Sequence, residues 1–140
     1  MTLSFSKYEG LGNDFLVVDD RTGDLELAAK HAVSLCDRHR GVGGDGVLLV
    51  GTSPGRLSMR VINADGSEPE MCGNGIRCVA LHLVRIGAAE GASFDVDTAA
   101  GVHRCVVQGL SSDRRQADVQ VTMRAPSLEP ASLPVVADAP

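Results

Sequence analysis

The chain has 140 residues and a net charge of −5, from 18 acidic side chains against 13 Lys and Arg. With 44% hydrophobic and 22% charged residues it has the balance of one globular domain rather than of a disordered chain. No basic run marks a nucleic-acid surface, no apolar stretch reaches the roughly 18 residues of a membrane span, and the opening MTLSFSKYEGLGNDF lacks the apolar core of a secretion signal, so a cytoplasmic protein with a small-molecule or protein partner is expected.

Alternation of apolar and polar residues predicts a strand over 3–8 and a second over 14–20, joined by a turn at 9–13. Residues 25–40 carry apolar side chains at 25, 28, 29, 32, 33, 35 and 36, which predicts an amphipathic helix capped by Asp24 and stopped at Gly41. Strands follow at 47–51 and 56–63, with a turn at Asp65-Gly66. Residues 76–86 form a second helix that is apolar almost all round, with Gly87 at its C-terminal cap, so this helix is expected to be buried. Strands at 93–98, 102–108 and 117–124 complete a ββαββαβββ order, which fits an α+β fold better than a doubly wound sheet. Residues 1–124 are read as the folded domain. The Pro-rich remainder, 125–140, reads as a linker or arm.

Tryptophan is absent and aromatics are 3%, so the core must be aliphatic. The 16 glycines cluster at 10–12, 41–46 and 73–75, where backbone turns tightly or approaches a ligand. In a chain without a secretion signal the four cysteines are expected to be free thiols. Cys36-x-x-His39 and Cys78-x-x-x-His82 lack the partner pairs of a zinc site, and no metal is assigned. Cys36, Cys78 and Cys105 read as small core residues.

Cys72 differs. In Glu70-Met71-Cys72-Gly73-Asn74-Gly75 it stands two or three residues before a helix, where unpaired N–H groups and the positive end of the dipole favour a thiolate. Gly73 and Gly75 let backbone N–H groups turn toward an anion such as a carboxylate, and Asn74 adds an amide. Asn13, in Gly10-Leu11-Gly12-Asn13-Asp14, and Asn63, before Ala64-Asp65-Gly66, suit either a plain turn or a ligand contact. Gly41-Val42-Gly43-Gly44-Asp45-Gly46 matches G-x-G-x-x-G in form. However, it follows a helix and precedes a strand, the reverse of a dinucleotide site, and reads as a loop near a substrate.

Taken together, GLGNDF (10–15), DRHRGVGGDGVLLV (37–50), NADGSEPEMCGNGIRC (63–78) and DTAAGVHRC (97–105) resemble the diaminopimelate epimerase family along nearly the whole chain. The resemblance implies a two-half architecture, each half wrapping strands about a central helix. It also implies conversion of LL- to meso-diaminopimelate without a cofactor, in lysine and cell-wall precursor synthesis. One thiolate removes the α-proton and a second thiol protonates the opposite face. Cys72 matches the family's first catalytic cysteine, and Asn13, Asn63, Gly73 and Asn74 match substrate-binding positions. Many relatives carry Gln where this chain has Gly46, so Gly46 is left out of the site. Family members are far longer, and the second cysteine lies beyond this sequence. The chain therefore reads as an N-terminal half whose partners are the substrate diaminopimelate and a complementary C-terminal half. A homodimer across a two-fold axis would also oppose two cysteines. Two other readings stay open: another cofactor-independent isomerase of the same architecture, and a non-catalytic half-fold that only binds ligand.

Overall fold

The computed structural model describes residues 2–133. The elements are β1 (Ser6–Gly10), β2 (Asn13–Asp19), α1 (Ala29–Cys36), β3 (Gly46–Ser53), β4 (Arg56–Asn63), α2 (Gly73–Arg85), β5 (Ser93–Thr98), β6 (Gly101–Gln108) and β7 (Asp118–Val121). The order agrees with the ββαββαβββ reading. All seven strands form one sheet in sequence order, parallel between β2 and β3 and between β4 and β5, and antiparallel elsewhere. Helix α2 touches β1 and β7 at the two ends of that sheet, so the sheet is curled into a half-barrel.

The apolar runs of β2 and β3 follow from burial on both faces. In β2, Phe15 and Val17 join the core under α2, while Leu16 and Val18 join a second core under α1. In β3, Leu48 and Val50 face the first core, and Val47 and Leu49 the second. Period-two alternation thus sorts one continuous apolar run into two cores.

Helix α1 is shorter than the 25–40 predicted. Asp24 does not cap it; instead Asp20 Oδ1 accepts the N–H of Leu25, and the helix begins after Ala28, which makes no side-chain cap. Non-helical chain through this stretch still buries Leu27 in the second core, so tertiary packing overrides the helical period. At the other end Asp37 Oδ1 accepts the N–H groups of His39 and Arg40, an Asx turn that ends the helix before Gly41. Gly41 is needed for a different reason: a Cβ there would lie 2.2 Å from the carbonyl oxygen of Ser34.

Smaller differences follow local chemistry. β1 runs on to Gly10 because Leu11 and Gly12, both at positive φ, close the turn in two residues. β7 is shorter than predicted, covering only Asp118–Val121. Of the predicted arm, residues up to 133 contain a single 3-10 turn, Pro130–Ser132, and 134–140 lie outside the described residues.

Candidate active site

The register places three loop junctions at one end of the sheet: Gly10 pairs with Asn13, Phe15 with Gly46, and Gly46 with Asn63. The start of α2 meets this end, since Asn74 bonds Asn13 and Gly75 abuts Leu48 of β3. Four of the five predicted site residues, Asn13, Gly73, Asn74 and Cys72, therefore gather where α2 begins. Asn63 lies at the same sheet end.

Cys72 is the N-cap residue of α2 itself, rather than two or three residues before the helix. Its φ of −137° and ψ of 110° are extended, and its Sγ accepts the N–H of Gly75 at 3.3 Å. A sulfur thus fills the place usually taken by a Ser or Asp oxygen. The glycine pair divides its work. A Cβ on Gly75 would come within 3.0 Å of Leu48 and 3.2 Å of Cys72 Sγ, so only glycine lets the sulfur sit there. At Gly73 a Cβ would meet nothing within 4 Å, leaving the first turn of the helix open to a ligand. Cys72 is partly exposed, whereas Cys36, Cys78 and Cys105 are buried, and all four are free. Burial raises the Cys36 thiol, pushes Cys78 up to about 12 and pushes Cys105 up to about 11.

Asn13 and Asn74, both half-buried, bond directly: Asn74 Nδ2 donates to Asn13 Oδ1 at 2.7 Å. Asn13 Nδ2 in turn donates to Asp45 Oδ2 at 3.1 Å, and Arg77 Nη1 donates to Asn74 Oδ1 at 3.0 Å. Asn63 does not join them. Its Nδ2 donates to Ser67 Oγ at 3.0 Å, closing its own Asp65-Gly66 turn.

Asp45 and Arg77 are absent from the sequence prediction. Arg77 follows Asn74 by three residues, the spacing that puts two helical side chains on one face, so its signal was present. Asp45 had only its place in a glycine-rich loop. That loop does abut the site: Asp45 N–H donates to Asp14 O at 2.7 Å, and Ala64 N–H donates to Asp45 O at 3.0 Å. Arg38 grips both oxygens of Asp14, at 3.1 and 2.7 Å, and also Asp45 Oδ1 at 3.0 Å. The Arg38 hydrogen bonds, followed by that of Lys7, hold the Asp14 carboxyl well below the usual carboxylate range. At Gly46 a Cβ would lie 2.8 Å from the carbonyl oxygen of Ile62, so this backbone selects glycine where the resemblance implies Gln in many relatives.

Among the described residues, no three His, Cys, Asp or Glu side chains are grouped to hold a metal, and no helix is long and apolar enough to cross a membrane. A groove of about 650 Å³ lies between β1 and β7 with Arg77, Cys78 and Leu81 of α2. It is the gap between the two edges of an unclosed sheet and does not include Cys72.

The family model described as diaminopimelate epimerase matches residues 5–129. The chain is 48% identical over 107 residues to the diaminopimelate epimerase of Rippkaea orientalis, covering 73% of this chain and 38% of that protein. It is 47% identical over 131 residues to that of Synechocystis sp., covering 91% and 45%. The chain spans less than half the length of these relatives. Solved structures share the fold: a Bacillus anthracis phenazine biosynthesis protein of the PhzF family (TM-score 0.64, 21% identity, 86% of this chain and 40% of that one) and an Agrobacterium vitis hydroxyproline epimerase (TM-score 0.62, 18% identity, 85% and 40%). With its glycine-flanked cysteine capping α2 and the family pattern running from β1 past β7, the chain belongs to the diaminopimelate epimerase family.

Proposed function

We propose that this chain is the first-base half of a diaminopimelate epimerase, interconverting LL- and meso-diaminopimelate in cytoplasmic lysine and cell-wall precursor synthesis. The observation that carries the reading is Cys72 at the N-cap of α2, its sulfur accepting the Gly75 N–H and one side open to solvent. As a thiolate, Cys72 removes the α-proton of the substrate. The charge left on the α-carbon is shared with the adjacent carboxylate, which the free N–H groups at the start of α2, beside Gly73 and Asn74, neutralise in part. A thiol on the opposite face returns a proton, inverting the centre. The two cysteines then hold exchanged protonation states, so the reverse turnover restores the first.

In this scheme the domain 1–124 wraps its sheet about α2 as a central helix, and 125–140 leads toward a complementary C-terminal half that supplies the opposing thiol. A second copy of the chain facing the first across a two-fold axis is the other source of that thiol. Asn13, Asn63, Gly73 and Asn74 hold the substrate, and no cofactor enters.

The test is α-hydrogen exchange of LL-diaminopimelate in D₂O, using this chain with the C-terminal half of a relative. Deuterium incorporation is expected from the pair and is lost in Cys72→Ser, because a hydroxyl is too weak a base. Undiminished exchange by Cys72→Ser contradicts the assignment.

A further inference from the structure

We propose that Asp45 and Arg77 are positioning residues that fix, from opposite ends, the direction of hydrogen bonding through Asn13 and Asn74, so that both amides meet a ligand as N–H donors. The proposal rests on the reading of those two asparagines as substrate contacts.

A free asparagine amide offers a carbonyl oxygen and an NH₂ of nearly equal shape, and can present either to a ligand. Here the choice is removed. A guanidinium has donors only, so the Arg77 contact at 3.0 Å must fall on Asn74 Oδ1. That leaves Asn74 Nδ2 to face Asn13, where it donates to Oδ1 at 2.7 Å. Asn13 must then turn its Nδ2 to Asp45, whose carboxylate only accepts, at 3.1 Å. The polarity runs one way, from the obligate donor Arg77 to the obligate acceptor Asp45. Flipping either amide would set N–H against N–H at one contact and oxygen against oxygen at another.

Both ends of the relay are themselves held. Asp45 Oδ2 also accepts the N–H of Asp14 at 3.0 Å, and Oδ1 accepts from Arg38 at 3.0 Å. Arg77 Nε donates to the Val119 carbonyl of β7 at 3.3 Å. Each NH₂ group keeps a second hydrogen that no group among the described residues accepts. Those two hydrogens suit carboxylate oxygens. An ammonium, which only donates, finds each carbonyl oxygen with one of its two lone pairs already engaged.

The test is NMR of the asparagine side-chain NH₂ signals in the full 140-residue chain, with and without LL-diaminopimelate. Arg77→Met should shift the Asn13 signal as well as that of Asn74, although of the two asparagines Arg77 bonds only Asn74. Asp45→Ala should shift Asn74 as well as Asn13. Either variant should weaken diaminopimelate about tenfold, the effect of losing a charge-assisted hydrogen bond's direction. Arg77→Lys, which still only donates, should bind within about threefold of the parent. If Arg77→Met loosens β7, Arg77→Gln keeps much of the bulk while removing the charge and the obligate donor at that end, and should show the same loss. Shifts confined to the adjacent amide, or parental binding by both Asp45→Ala and Arg77→Met, would overturn the proposal while leaving the asparagines as substrate contacts. Parental amide signals that ignore diaminopimelate would instead overturn the substrate reading, with the coupling between the two amides still judged by the variants.

Discussion

The two helices of this small domain are put to opposite uses. Helix α1 has eight residues, of which Ala32 and Cys36 are buried, and its N-cap residue, Ala28, has no side chain to cap it; only His31 Nδ1 reaches back to accept the Ala28 N–H at 3.2 Å. Helix α2 has thirteen residues, eight of them buried, and a cysteine caps it. Each helix carries a cysteine near an end. Cys36 closes the last turn of α1, faces a core and has its thiol pushed up by burial. Cys72 opens α2, where N–H groups converge and water enters. In the proposed reading, position on a helix and contact with solvent, not residue type alone, separate the reactive thiol from the core one.

Stability should separate the two helices most strongly. Leu83→Ala removes a fully buried side chain of α2 and is expected to cost about 2–5 kcal/mol, whereas Val33→Ala, at 42% exposure on α1, should stay within about 0.5 kcal/mol. Urea denaturation of the two variants measures this. Equal losses would mean that α2 is not the helix on which the fold depends. The glycines at the helix ends sharpen the contrast. Gly41→Ala drives a Cβ to 2.2 Å from Ser34 O and should cost more than about 2 kcal/mol. Gly73→Ala meets open space and should change stability by less than about 0.5 kcal/mol, while reducing diaminopimelate binding in a calorimetric titration.

A smaller effect comes from His82 on α2. It is buried, its Nδ1 lies 3.0 Å from Tyr8 Oη, and its Nε2 has no partner among the described residues. Burial lowers its pKa, so the unfolded chain binds the proton more readily. The stability contributed by neutral His82 is therefore complete above the unfolded value near ~6.5, and is lost as pH falls below it. His82→Gln, which can still accept from Tyr8, should flatten the slope of stability against pH below that value. An unchanged slope would assign it to other groups.

The apolar runs of β2, β3 and α2 were legible because each is long, strongly patterned and bounded by glycine or turn residues. The start of helix α1 was not, because residues 25–28 continue its helical spacing while Leu27 is drawn into a core by non-helical chain. At the site, Cys72, Gly73 and Asn74 stood out through a dense local pattern. Asn13 joined them only across a gap of 61 residues, where spacing carries no signal and family resemblance had to substitute. Asp45 and Arg77 were missed for a related reason. Their role lies in the direction of hydrogen bonds between elements, and no single segment encodes that direction.

The contrast between Cys72 and its three buried counterparts can be tested most directly by limiting alkylation of the folded chain near neutral pH, mapped by mass spectrometry. Cys72 should react first and account for nearly all early label. Cys36, Cys78 and Cys105 should stay unmodified until the chain is unfolded. Early labelling of Cys36, Cys78 or Cys105 ahead of Cys72 would contradict the assignment of the α2 cap as the reactive thiol.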